Sequence, residues 1–208
     1  MRVTAIEPES RSGGVRVQVD GRPFGTVAPG DVAALGLSVG AVLDERAAGA
    51  LTERAEVFGA RTVALSMLAA RALPSAELVR RLVRKGHAKG AAEAAIEGLG
   101  ETGLIDDAEF ARHYVRTHAR QRLGPRRLDA DLRRLGVADS VAEAAVRETL
   151  AADGVDPHAV LQEAAAKKVR ALAGLDAETA RRRLRSYLLR RGFGGAEVSA
   201  VVKDAFPR

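Results

Sequence analysis

Leu128-Asp129-Ala130-Asp131-Leu132-Arg133-Arg134-Leu135-Gly136 carries two leucines and a glycine four residues apart, and the phrase returns at Leu78, Leu82, Gly86 and at Leu184, Leu188, Gly192. Leucines one turn apart mark the buried stripe of a helix, and a glycine just beyond the last turn is the residue that most easily takes the left-handed stop. An apolar helical segment follows each glycine. The offsets agree: six residues on stand Ala92, Ala142 and Val198, and ten on stand Ile96, Val146 and Val202, one buried face in each case. The glycines are 50 and 56 residues apart, which suits three short helices per unit and is too long for a bare helical hairpin. Three tandem three-helix repeats in an elongated array are therefore expected. Such an array has no catalytic pocket by default and offers a surface for another macromolecule.

Working outward, Asp44 to Phe58 reads as a connecting helix. Gly59 is expected to punctuate it before a helix from Arg61 to Leu73. Pro74-Ser75 ends that helix and starts the next, with Ser75 as its N-cap and Glu77 in the first turn, where a negative charge is favoured. In the second unit Asp106 or Asp107 can cap a helix, with Ile105 and Phe110 as a hydrophobic staple. Gly124-Pro125 separates this helix from the next, and Asp176-Ala177-Glu178-Thr179 opens the corresponding helix of the third unit. The first forty-odd residues differ. Val15, Val17 and Val19 alternate with polar residues, Asp20-Gly21 reads as a hairpin turn into Phe24 to Val27, and a third strand is expected at Val3 to Ile6. Asp31 to Leu35 reads as a short helix. The expected limits are 1–43 for a small β-containing accessory element, 44–59 for the connecting helix, and 60–105, 106–156 and 157–208 for the repeats.

The 208 residues carry 33 basic and 27 acidic side chains, a formal charge of +6 that favours an anionic partner. Residues 1–58 hold six basic and eight acidic groups, whereas residues 158–208 hold eleven and five. Within each repeat the second helix is the basic one, with Arg80, Arg81, Arg84 and Lys85, then Arg126, Arg127, Arg133 and Arg134, then Arg181, Arg182, Arg183, Arg185, Arg190 and Arg191. Arg112, Arg116 and Arg120 form a further i, i+4 stripe whose mutual repulsion costs a few tenths of a kcal/mol per pair. The residues assigned to a partner-binding surface are Arg80, Arg84, Lys85, Arg112, Arg116, Arg120, Arg127, Arg134, Arg185, Arg190 and Arg191.

Other classes fare worse. A DNA-reading helix-turn-helix would place base-reading groups on the helix after the turn, yet Ala138 to Leu150 carries Asp139, Glu143 and Glu148 against Arg147 alone. Nonspecific backbone binding by the basic helices stays open. His87, His113, His118 and His158 include no i, i+4 pair for zinc, and no phosphate loop, dinucleotide loop or nucleophile elbow is present. Neither an enzyme nor a cofactor or metal is expected. Without cysteine there are no disulfides or thiolate metal sites. No apolar run is long enough for a signal peptide or membrane span, so a cytoplasmic location and no membrane partner are expected.

The assembled motifs resemble the RecX regulatory family, bacterial modulators of the RecA recombinase. The resemblance lies in Gly103-Leu104-Ile105-Asp106-Asp107 with Phe110-Ala111, in Ser75-x-Glu77-Leu78-x3-Leu82-x2-Lys85-Gly86, and in Leu184-x2-Tyr187-Leu188-x-Arg190-Arg191-Gly192-Phe193. It covers about residues 60 to 206. One departure is Arg71-Ala72-Leu73-Pro74-Ser75, where the family tends to have a dense basic cluster. The resemblance implies a non-catalytic, monomeric regulator in the SOS response and homologous recombination. It implies lodging in the groove of the RecA filament and suppressing ATP turnover, strand exchange and coprotease activity, with single- and double-stranded DNA as further candidate partners. The alternative is a helical protein that binds DNA directly, without sequence preference, and acts without RecA.

Overall fold

The computed structural model describes residues 1–10 and 12–207. The chain divides into two compact units, Met1–Asp106 and the residues from Asp107 onward.

The first unit opens with three antiparallel strands in the order β1 (Val3–Glu9), β2 (Gly14–Val19) and β3 (Arg22–Val27). Asp20 and Gly21 both take positive φ, 49° and 73°, between the paired residues Val19 and Arg22, the geometry of a two-residue hairpin whose twist matches its strands. The alternation sends Val17 and Val19 into a core with Val3, Val27, Leu37, Leu43, Ala48 and Leu51. The short helix α1 (Pro29–Ala34) begins at Pro29, two residues earlier than expected, because proline's fixed φ suits a first helical turn.

Gly59 does not break the following helix. Instead α2 (Glu45–Ala70) runs unbroken for 26 residues, about 39 Å. Its Asp44 cap accepts a hydrogen bond from the Ala47 amide at 2.7 Å. The expected break fails because one interior glycine costs only about 1 kcal/mol against alanine, and burial of α2 on both sides of Gly59 outweighs that. Ala48 and Leu51 serve the β core, and Ala60 and Ala64 serve a helical core with Leu78, Leu82, Ala92, Ile96 and Leu99. Gly25 of β3 lets the sheet approach α2 so closely that a Cβ there would stand 2.7 Å from that of Ala55.

The helical core of the first unit is completed by α3 (Ser75–Arg84) and α4 (Lys89–Glu101). Ser75 is the first helical residue and not the cap, a position taken by Pro74 with extended backbone (φ −75°, ψ 157°). The reason is proline's restriction of the residue before it, which holds Leu73 outside the helix and leaves Pro74 as the hinge. Leu73 is buried in this core and Pro74 is buried beside it.

The second unit contains α5 (Asp107–Ala119), α6 (Pro125–Leu135), α7 (Asp139–Ala152), α8 (Pro157–Arg170), α9 (Ala177–Arg190) and α10 (Gly195–Ala205). The helices α5 to α7 enclose Ala111, Val115, Leu128, Leu132, Ala142 and Val146, while α8 to α10 enclose Leu161, Leu184, Leu188, Phe193, Val198 and Val202. Asp176 caps α9 by accepting from the Thr179 amide at 2.8 Å, a bond that holds its carboxyl below the usual range. Ile105 is buried in the α2–α4 core, and Phe110 packs against the α5–α7 core.

All six leucines of the repeated phrase are fully buried. Each glycine is left-handed, with φ of 97° at Gly86, 96° at Gly136 and 84° at Gly192. The amide just past each glycine donates back to the second leucine's carbonyl: His87 to Leu82 at 3.1 Å, Val137 to Leu132 at 3.1 Å, Phe193 to Leu188 at 3.3 Å. The repeat is thus a thrice-made helix stop in which one leucine supplies both the core side chain and the carbonyl that ties off the turn.

Candidate partner-binding surface

The second helix of each module, α3, α6 and α9, carries arginine for a local reason. Its buried stripe is built mainly on two leucines, which leaves most other positions to solvent or to neighbouring side chains. The three helices nevertheless treat their cations differently.

In α3, Glu77 collects all three arginines, with Arg80 at 2.9 Å, Arg81 at 2.6 Å and Arg84 at 3.7 Å. The Arg81 guanidinium is the main reason that the Glu77 carboxyl titrates below its ordinary value. Lys85 follows as the exposed C-cap residue. In α6 the acid is Asp131, only 6% exposed, with Arg127 at 2.8 Å and Arg134 at 3.1 Å. Asp129 holds Arg133 at 2.9 Å. Asp131 also meets the Tyr114 hydroxyl, whose pKa is raised first by burial and then by this carboxylate. Counted back from the repeat glycine, Glu77 and Arg81 occupy the places of Arg127 and Asp131, so α3 and α6 make one intrahelical ion pair with its charges exchanged.

In α9 those two places hold Arg183 and Tyr187, and the pair is absent. Five arginines stand against the single carboxylate of Glu178. Arg182, Arg183, Arg185 and Arg190 are exposed, and among the described residues none has a carboxylate within 4.0 Å. Arg181 donates to the carbonyls of Phe206 at 2.6 Å and Pro207 at 3.0 Å. Lys168 and Arg191 lie over the Tyr187 ring, 5.3 and 5.0 Å from its centre.

Arg191 does a further job. Its guanidinium donates to the carbonyls of Gln121 and Arg122, the latter at 3.0 Å. Beside it the Gly124 amide donates to the Arg191 carbonyl at 2.7 Å and the Arg126 amide to the Gly192 carbonyl at 3.2 Å. The loop between α5 and α6 is thereby hydrogen-bonded to the end of α9, with Gly124 against Gly192. No side chain fits between them, since a Cβ on Gly124 would stand 2.5 Å from the Gly192 oxygen.

The α5 stripe is shorter and better compensated than the spacing suggests. Arg112 pairs with Glu109 at 2.8 Å, and Arg116 lies 4.0 Å from Glu109 and 3.8 Å from Asp153. Arg120 stands one residue past the end of α5, because the chain turns there toward left-handed Arg122 (φ 58°). Arg116 and Arg120 line a groove of about 660 Å³ with Arg122, facing Asp153 and Glu163. Arg122, outside the residues assigned from sequence, pairs with Glu163. Lys168 was also outside them, and no local motif marks either. The pairings of Glu77 and Asp131, by contrast, were readable from i, i+3 and i, i+4 spacing.

The helix after the glycine in the second module, α7, uses its one arginine on its own acids, with Arg147 3.9 Å from Glu143 and 3.1 Å from Glu148. Among the described residues no three His, Cys, Asp or Glu side chains converge as a metal site, and no helix is long and apolar enough to cross a membrane.

These modules define a class, a protein built from tandem three-helix domains. Residues 106–146 match the family model for the second three-helix domain of RecX, and residues 156–202 the model for its third. Regulatory protein RecX of Amycolatopsis mediterranei is 35% identical over 146 residues, 70% of this chain and 82% of that protein. Regulatory protein RecX of Halorhodospira halophila is 37% identical over 147 residues, 70% and 87% of the two chains. The chain belongs to the RecX family. Two solved structures share the fold. One, a crystal structure of regulatory protein RecX, superposes with a TM-score of 0.76 over 98% of both chains at 23% identity. The other, RecX from Lactobacillus salivarius, gives 0.60 over 72% of this chain and 96% of that one at 20% identity.

Proposed function

We propose that this protein binds the RecA filament assembled on DNA and inhibits its ATPase, strand-exchange and coprotease activities without catalysing a reaction. Membership of the RecX family carries this reading, since the match to curated regulatory proteins spans about 70% of the chain. The repeated basic second helices agree with it. A nucleoprotein is densely anionic, and cationic faces speed encounter with it and fix orientation. We take the acting modules as residues 60–105, 106–156 and 157–208, working as a monomer in the cytoplasm. Lys85, Arg112, Arg116, Arg120, Arg185 and Arg190 contribute to binding, together with Arg80, Arg84, Arg127 and Arg134 where a partner's phosphate or carboxylate displaces their present one.

The test is RecA ATPase on preassembled filaments, titrated with this protein below one copy per RecA. Strong suppression at such ratios is expected. A direct DNA binder acting without RecA would give no suppression beyond competition for DNA, and that result would remove the reading.

A further inference from the structure

We infer that α9 is the nucleic-acid face of this protein, contacting the sugar-phosphate backbone through Arg182, Arg183, Arg185 and Arg190, whereas the three arginines of α3, and Arg127, Arg133 and Arg134 of α6, are held by carboxylates. The inference deepens the reading above and rests on it for the filament setting. It differs in naming one helix and one ligand.

The argument starts from the exchanged ion pair. At equivalent places α3 has Glu77 with Arg81 and α6 has Arg127 with Asp131, so each of these helices partly offsets its own cations. The third module places Arg183 and Tyr187 there. Cations left without carboxylates on one helix repel one another, a cost that the first two modules reduce.

The pattern suits phosphate better than bases. Arg183 and Arg190 are seven residues apart, about 10.5 Å along one flank, and Arg182 and Arg185 occupy the other with exposed Leu189 between them in projection. Guanidinium groups spread over the width of a helix can meet successive phosphates. Base stacking needs an open aromatic face, and the Tyr187 ring already lies beneath Lys168 and Arg191. Binding is therefore salt-sensitive and indifferent to sequence. An acidic protein surface could also meet four arginines, but would be expected to engage α3 and α6 as well.

The probe is a fluorescein-labelled 30-mer oligothymidylate without RecA, with anisotropy read between about 50 and 200 mM salt. Changing Arg182, Arg183, Arg185 and Arg190 together to Gln should weaken binding at least tenfold and reduce the slope of log affinity against log salt by about two to three, since each single-strand phosphate contact contributes about 0.7. The same four positions as Lys should keep most of the affinity. Changing Arg80, Arg81 and Arg84 to Gln should move the slope by less than one such contact. Circular dichroism confirms folding, and should the glutamine variant unfold, the lysine variant and the α3 variant still decide. An unchanged slope in the α9 variant, or an equal loss in the α3 variant, overturns the inference. So does loss of RecA ATPase suppression with DNA binding intact, which would leave the proposed function standing and make the α9 partner a protein. Conversely, the expected DNA result with no RecA suppression by the unaltered protein keeps this inference and removes the function.

Discussion

Gly192→Ala should destabilise the second unit by about 3–4 kcal/mol, far more than a helix-stop glycine ordinarily costs. Alanine at φ 84° carries a left-handed penalty of about 1–2 kcal/mol. Its Cβ would also fall on the backbone nitrogen of Arg127 and 2.7 Å from that residue's Cα, so the loop before α6 must withdraw from the end of α9. Withdrawal breaks the bonds from the Gly124 amide to the Arg191 carbonyl and from the Arg126 amide to the Gly192 carbonyl, each worth about 1 kcal/mol net. Gly154→Ala is the control. Gly154 is equally left-handed, at φ 63°, follows α7 in the same unit, and has nothing within 4 Å of the point where a Cβ would stand, so only the conformational penalty of about 1–2 kcal/mol applies. The chain supplies its own probe, because it has no tryptophan and its two tyrosines, Tyr114 and Tyr187, both lie in the second unit. Urea unfolding followed by tyrosine fluorescence therefore reports that unit, while far-ultraviolet circular dichroism reports the whole chain. Equal midpoints for the two variants would refute the idea that the glycine contact joins the α5–α7 and α8–α10 modules.

Arg127→Gln should lower the stability of the second unit by about 1–2 kcal/mol, because it removes a charge-assisted bond from a nearly buried carboxylate, while Arg185→Gln should be neutral within about 0.5 kcal/mol; the same fluorescence titration separates them. Gly59→Ala should stabilise the first unit by about 0.5–1 kcal/mol, since the position is mid-helix and the nearest atom to an added Cβ is the His87 ring at 3.8 Å; a loss of stability by circular dichroism would contradict the unbroken α2. The lowered pKa of Glu77 means that its contribution is fully present above the ordinary carboxylate value and disappears as pH falls through the lowered folded value. Glu77→Gln should accordingly lower the melting temperature at pH 7, and the gap to the unaltered protein should narrow as pH falls through the lowered folded value, whereas a constant gap would deny the ion pair its role.

Much of the fold was legible because its information is periodic. Leucines at four-residue spacing define a buried stripe in any helix, and a glycine after them defines a left-handed stop, so the three modules and their third helices follow from offsets of six and ten residues. The hairpin at Asp20-Gly21 was legible for the same local reason. Gly59 misled because glycine is a stop only where the chain leaves the helix, and here both halves of α2 are anchored by burial. The candidate surface was legible in composition and less so in state. Which helices are rich in arginine can be counted, and the acids that hold Arg81 and Arg127 stand four residues away, within reach of spacing rules.

The amino-acid order by itself determined the helical module, its repetition and the excess of cations on α9, because each depends on residues within about two turns of one another. Tertiary structure alone decided that Arg191 reaches the carbonyls of Gln121 and Arg122, some seventy residues back, and that Gly124 and Gly192 meet backbone to backbone. The physical reason is that a glycine's lack of a side chain, like an arginine's reach, is the same in every sequence until packing brings up the surface that requires it.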